Sequence, residues 1–252
     1  MRGGYGDPPR KGASCVAVLA PRRPARRPGA AETLGPVNMD PDELIQAKAR
    51  TRRIISAALV RLTPGRRRAA GVAVVQRLQQ LPAVRGAGTL MAFLSLPTEI
   101  DTWPIIRWAW AQGKRVAVPR IEPPGGGGAA PSQRRIVPVL LEAAPVDGVA
   151  DHPAVRPGAL GILEVPDAAP LDPADLDVVL APCQAVDRRG RRLGKGGGFY
   201  DRFLADERLR AAVIAIAFHE QVLDEVPAGA GDRPVPMVVT DAETLSFAPA
   251  VV

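Results

Sequence analysis

The sequence predicts an α/β protein: a three-layer arrangement in which a mostly parallel β-sheet carries helices on both faces. Two observations point there. Short apolar runs such as Thr89–Leu94, Asp177–Ala181 and Val213–Phe218 are continuous rather than alternating, the pattern of strands buried on both sides. Segments with helical spacing of apolar residues separate several of these runs, as crossover helices between parallel strands would. Hydrophobic residues make up 46% and charged residues 23%, enough for a sizeable core, while 4% aromatics leave that core to Val, Leu, Ile and Ala. A length of 252 residues fits one generous α/β domain or two small ones.

Residues 1–38 are rich in Pro, Gly, Ala and Arg and show no periodicity, so they predict a disordered basic tail ahead of a folded domain over 39–252. Folded structure begins at Asp40-Pro-Asp-Glu43, where a proline and acidic residues suit a helix N-terminus. From Leu44 onward, Ala47, Ile55, Ala58, Leu59 and Leu62 fall mostly on one helical face. Lys48 and Arg52 are one turn apart and project together. Thr63-Pro64 caps a second amphipathic helix through Ala70, Val74, Leu78 and Leu81. Thr89–Leu94 is a strand, and Thr102-Trp-Pro104 opens a helix that Gly113 closes. Arg115–Pro119 is the next strand, and the glycine-rich stretch Glu122–Gln133 is a surface loop. Further strands fall at Ile136–Leu141, Asp177–Ala181, Val213–Phe218 and Met237–Thr240, with a helix from Phe199 to Leu209. No internal repeat is present.

The net charge of +7 raises the question of a nucleic-acid partner. Seven basic residues against two acidic ones precede Met39, so the body that follows is nearly neutral and the basic excess belongs to the tail. One aromatic, Tyr5, is too little for a base-stacking platform there. Cys15 and Cys183 lack metal-ligand or redox spacing, which suits a reducing cytoplasm. No apolar run approaches the roughly eighteen residues that a membrane span needs. His152 and His219 have no cysteine or carboxylate partners at ligand spacing, so neither a zinc site nor a catalytic triad is indicated.

The chemistry concentrates in Arg191-Arg-Leu-Gly-Lys-Gly-Gly-Gly-Phe-Tyr-Asp-Arg202, which follows the strand ending at Pro182. Four glycines let the backbone approach a ligand and turn successive N–H groups inward. Arg192 and Lys195 add side-chain charge, and a helix beginning just afterwards adds its positive end. The loop has the makings of a phosphate cradle. It is not a Walker A loop, because only three residues separate Gly190 from Gly194-Lys195 and glycine follows the lysine. Nor is it the dinucleotide fingerprint, because Phe199 stands where the last glycine would be needed. A solvent-exposed flexible linker is the alternative; the strand before, the helix after and the Phe199-Tyr200 pair stand against it.

The segment from Asp177 to Leu204 resembles the signature of the 5-formyltetrahydrofolate cyclo-ligase family, carried by Pro182, Ala185, Asp187, Gly190, Arg192-Leu-Gly194, Gly196, Gly198, Tyr200, Asp201 and Arg202. Phe199 replaces a tyrosine of the family pattern, Val186 a phenylalanine and Cys183 a glycine. Lys48-x-x-x-Arg52 is similar to the family's N-terminal nucleotide-binding pair, and Phe93–Thr102 resembles its folate-contacting turn. Gly161-Ile-Leu-Glu-Val-Pro166 is similar to a further family turn with Val165 inserted, and Gly231–Thr240 resembles a magnesium-binding region in which Pro236 replaces a second aspartate. The resemblance covers roughly residues 42–245.

It implies a NagB/RpiA/CoA-transferase-like fold and an enzyme that turns 5-formyltetrahydrofolate into 5,10-methenyltetrahydrofolate while ATP becomes ADP and phosphate. It further implies ATP binding by Lys48, Arg52, Arg192, Leu193, Gly194, Lys195, Gly196, Gly197, Gly198, Phe199 and Tyr200. Folate binding would fall to Leu94, Glu99 and Tyr200, and Mg²⁺ binding to Asp201 and Asp232. No side chain is assigned a direct catalytic role. The partners implied are ATP and a reduced folate, acting on a monomer, with no nucleic acid and no membrane. A family paralogue with a regulatory role, and a nucleic-acid-associated protein acting through the basic tail, are the alternatives. On residues alone Lys48 and Arg52 would be solvated charges of an Arg-rich helix, and Glu99 a helix-leading acid.

Overall fold

The computed structural model describes residues 39–123, 134–158 and 161–247; the expected tail lies outside them, as does most of the expected loop at 122–133. Three helices come first. Helix α1 (Pro41–Leu59) starts on Asp40, whose carboxylate accepts the Asp42 N–H at 3.0 Å, and α2 (Pro64–Leu78) starts on Thr63, whose hydroxyl accepts the Arg66 N–H. The short α3 (Pro82–Gly86) leads into β1 (Thr89–Met91), and α4 (Trp103–Ala111) precedes β2 (Arg115–Glu122) and β3 (Arg135–Leu140). After a two-stranded ribbon, β4 (Arg156–Pro157) with β5 (Leu163–Glu164), come β6 (Val178–Pro182), β7 (Ala185–Asp187) and β8 (Arg192–Leu193). Helix α5 (Phe199–Leu204), β9 (Ala212–Ala217), β10 (Val222–Leu223), β11 (Met237–Thr240) and β12 (Thr244–Ser246) complete the order.

The main sheet has seven strands in the order β12-β11-β9-β6-β1-β2-β3. The five inner strands run parallel, and an antiparallel strand closes each edge. Alternate residues of each inner strand face opposite sides. Val116, Val118, Val178, Leu180, Ile214 and Ile216 meet α1, α2 and α4 in the larger core. On the reverse face Met91, Ala117 and Val179 pack beneath Phe203 of α5. Farther along that face, Ala215, Ala217 and Val238 are covered by Val186 of the small sheet β10-β7-β8. That double burial is why the strands read as unbroken apolar runs. Among the described residues, no helix is long and apolar enough to cross a membrane.

Several elements differ from expectation: α3, β4, β5, β8, β10 and β12 were not expected, α2 stops at Leu78 instead of Leu81, and β2 runs on past Pro119 to Glu122 because Arg120, Ile121 and Glu122 pair with β3. Strand β1 stops at Met91 instead of Leu94, because the Thr102 hydroxyl takes the Phe93 carbonyl at 2.6 Å. Helix α5 ends at Leu204 instead of Leu209. Asp206 diverts the chain there: its side chain accepts the Arg208 N–H and its carbonyl accepts the Leu209 N–H. The stretch Gln184–Asp187, expected as a turn, contains β7, which pairs with both β8 and β10.

Candidate functional site

The glycine loop leaves β8, crosses the end of the sheet and enters α5. Gly196 has φ +109°, a conformation reserved for glycine, and a Cβ there would stand 3.6 Å from the Arg52 guanidinium carbon. Helix α1 therefore lies directly against the loop: Arg52 Nε donates to the Gly194 carbonyl at 2.9 Å. Gln184, not anticipated as a site residue, holds this contact from behind. It is buried and donates to Ser56 Oγ of α1 at 2.9 Å, while its own N–H donates to the Leu193 carbonyl. One turn before Arg52, Lys48 pairs with Asp232 at 2.6 Å, and the same Asp232 oxygen accepts the Gly229 N–H. The N-terminal pair and the C-terminal aspartate are thus brought together at one side of the loop.

On the other side lies a cavity of about 180 Å³ lined by Phe93, Leu94, Glu99, Arg192, Gly194, Lys195, Gly197–Tyr200 and Asp201, among others. Arg192 is only 2% exposed; it pairs with Asp201 at 2.5 Å and donates to the Pro182 carbonyl. Lys195 pairs with Glu99 at 2.9 Å, joining the loop to the turn after β1. Two buried polar atoms of the lining, the Tyr200 hydroxyl and Arg192 Nε, have no hydrogen-bond partner. Orphaned donors at a cavity wall are what a polar ligand would satisfy. Burial raises the Tyr200 phenol above its ordinary range, with Glu99 adding to the shift, so it stays protonated and able to donate. Burial also pushes the Cys183 thiol up to about 12, which makes it inert packing rather than a nucleophile.

Several expected residues sit differently from the simple picture. The Leu193 side chain is buried in the main core, so only its backbone borders the loop. Lys48, Arg52 and Asp232 do not line the cavity; Arg52 backs the loop from α1, and Lys48, one turn earlier, is held by Asp232 from the segment before β11. Helix α5 has six residues, too short for its dipole to contribute much to anion binding. His152 proves structural: its Nδ1 accepts from Ala154 N–H, its Nε2–H donates to the Glu142 carbonyl, and its ring stacks on Trp110. Cys183, Pro119, Ile121 and Ile136 were not anticipated as cavity lining. The two isoleucines arrive by direct pairing across the β2–β3 hairpin.

Among the described residues, no group of three or more His, Cys, Asp or Glu forms a metal cage. Asp201 and Asp232 each already face a cation. Their hard carboxylate oxygens fit Mg²⁺ in the way that ion is usually held, by one or two carboxylates together with nucleotide phosphates and water. A larger cleft, about 510 Å³ between β3, Pro170–Pro173 and α5, contains none of the expected site residues, and its Arg208 is paired with Asp206 and Asp172.

A model of the 5-formyltetrahydrofolate cyclo-ligase family matches residues 44–241. The chain is 32% identical over 188 residues to the 5-formyltetrahydrofolate cyclo-ligase of Escherichia coli K12, covering 72% of this chain and 93% of the relative. It is 28% identical over 195 residues to that of Haemophilus influenzae, covering 75% and 95%. Its fold is similar to the solved 5,10-methenyltetrahydrofolate synthetase of Aquifex aeolicus, with a TM-score of 0.63 at 24% identity over 79% of this chain and 92% of that one. The corresponding Mycoplasma pneumoniae structure gives 0.57 at 16% identity over 77% and 98%.

Proposed function

The chain belongs to the 5-formyltetrahydrofolate cyclo-ligase family, and from that membership we propose how its residues divide the reaction. The protein converts 5-formyltetrahydrofolate to 5,10-methenyltetrahydrofolate with ATP as co-substrate. Ring closure has to remove the formyl oxygen, which is a poor leaving group. That oxygen attacks the γ-phosphorus of ATP and ADP departs. The second folate nitrogen then attacks the activated carbon and sheds its proton, and phosphate leaves. Phosphoryl transfer of this kind depends on positioning and charge neutralisation more than on covalent help.

In this reading Arg192, Lys195 and the N–H groups of Gly194 and Gly196–Gly198 take the phosphates, while Lys48 and Arg52 support the loop from behind and add charge. Leu193 holds the loop by packing, and Phe199 flanks the nucleotide. Leu94 and Tyr200 wall the pterin, and Glu99 accepts its N–H donors. Asp201 and Asp232 would hold Mg²⁺, which supplies charge neutralisation at the transferring phosphoryl group when bound. We also take the protein to be a monomer of the cytoplasm; a light-scattering mass of one chain checks the first of these.

One observation carries the reading: a single cavity brings together the glycine loop, Glu99 and two unpartnered donors, Arg192 Nε and the Tyr200 hydroxyl. Purified protein with Mg²⁺, ATP and 5-formyltetrahydrofolate should form the methenyl chromophore, one for one with ADP, and none without ATP. Protein that binds ATP but makes no methenyl product would overturn it.

A further inference from the structure

Lys195 and Glu99 stand at opposite ends of this division of labour, one toward nucleotide and the other toward folate, yet they hold each other at 2.9 Å. The second Glu99 oxygen is tied to the Leu96 N–H at 2.8 Å, so the oxygen facing Lys195 is the one left for a ligand. Glu99 is 9% exposed and the Lys195 side chain 39%, so the carboxylate is fixed and the lysine is the partner able to swing away.

We infer that Lys195 is a positioning residue that couples the two substrate sites: nucleotide draws its ammonium off Glu99, and the freed carboxylate oxygen takes the N–H donors of the folate. This rests on the proposed assignment of the glycine loop to nucleotide and of Glu99 to folate. Folate arriving alone must displace a cation from a nearly buried carboxylate. Nucleotide arriving alone strips that carboxylate of a partner, which is costly for a buried charge. With both ligands present the ion pair breaks once, and both groups are partnered again. A cost shared between two ligands is positive coupling, and linkage makes it equal in both directions. The same pair at a fully exposed site would count for little.

The test is the dissociation constant of 5-formyltetrahydrofolate with and without saturating β,γ-imido-ATP and Mg²⁺, and the converse measurement. In wild type each ligand tightens the other by the same factor, about 5-fold or more, the low end of ordinary coupling. In Lys195→Ala the factor falls to near unity because Glu99 is already free. Folate alone then binds tighter than it does to wild type, and nucleotide alone binds more weakly. Lys195→Arg keeps the charge and keeps the coupling. A lysine with a purely structural role would shift both affinities and leave the coupling factor in place. Wild-type coupling near unity, or undiminished coupling in Lys195→Ala, overturns the inference and leaves the site reading standing. Failure of wild type to bind the two ligands even together overturns the site reading and the inference with it.

Discussion

Replacing Gly71 by alanine tests whether the turn that carries Glu99 is held by close packing against α2. Gly71 is buried in the middle of that helix, and a methyl there would overlap the Asp101 carbonyl oxygen and stand 3.3 Å from Pro104 Cγ. In an unobstructed helix interior the change would stabilise by about 1 kcal/mol, because glycine is the poorer helix former. Here the obstacle is backbone rather than the end of a flexible side chain. Asp101 is further tied down, since its N–H donates to the Arg67 carbonyl of the same helix. Overpacking of this sort costs roughly 1–3 kcal/mol, and an overlap with backbone puts it in the upper half of that range, about 2–3, so the net loss should be about 1–2 kcal/mol after the helix gain. For a domain of this size that is a fall in Tm of about 2–8 °C. Asp101 lies two residues from Glu99, so the displaced turn should also raise KM for folate more than KM for ATP. Thermal melts followed by circular dichroism, with steady-state kinetics on the same preparations, measure both. Gly86→Ala is the control, since a Cβ there meets nothing within 4 Å, and it should not lower Tm. A Gly71→Ala protein that melts at or above the wild-type temperature would refute the reasoning.

Asp201→Asn removes a proposed metal ligand and the anionic partner of Arg192, and should lower kcat about 100-fold, as loss of a preorganised electrostatic contact typically does. An effect below tenfold in single-turnover assays would count against that role. Glu99→Gln should raise the dissociation constant for 5-formyltetrahydrofolate and, because it removes the ion pair that nucleotide has to break, tighten the binding of nucleotide alone; calorimetric titration of each ligand measures both. For Cys183, a thiol pKa raised to about 12 leaves the thiolate scarce at pH 8, since the neutral form persists until pH approaches the folded value. Peptide-resolved mass spectrometry after iodoacetamide treatment should find Cys183 unmodified in folded protein and modified in denaturant, and rapid alkylation of the folded form would contradict its burial.

What the sequence disclosed depended on whether the determining contacts were local. Strand β11 has the expected bounds because Met237-Val-Val-Thr240 is apolar and sits between a proline-rich turn and a polar one. The glycine loop was equally legible, since its backbone freedom, its cations and its exit into a helix are all contiguous. Helix α5 was overestimated because a single side chain, Asp206, outcompetes the continuing helix through its own hydrogen bonds. Gln184 is not legible for a different reason: its partner Ser56 lies 128 residues away, and nothing near Gln184 signals a helix behind it. The isoleucine wall of the cavity depends on the β2–β3 register, which pairs Ile121 with Ile136, and on which face of the hairpin meets the loop. Neither the Lys195–Glu99 nor the Lys48–Asp232 pair could be read from spacing, since each joins segments that meet only when the sheet is assembled.

The position of β1 has a consequence for synthesis on the ribosome. This strand lies at the centre of the sheet, flanked by β2 and β6, so one of its neighbours is made soon after it and the other only once Val178 has emerged. Until then the nascent chain presents a bare, apolar parallel edge, the surface most prone to wrong pairing. The glycine loop emerges later still, and Asp232, the partner of Lys48, lies near the far end of the chain. With the glycine loop as the nucleotide site that we propose, nucleotide could stabilise only a chain extended past it.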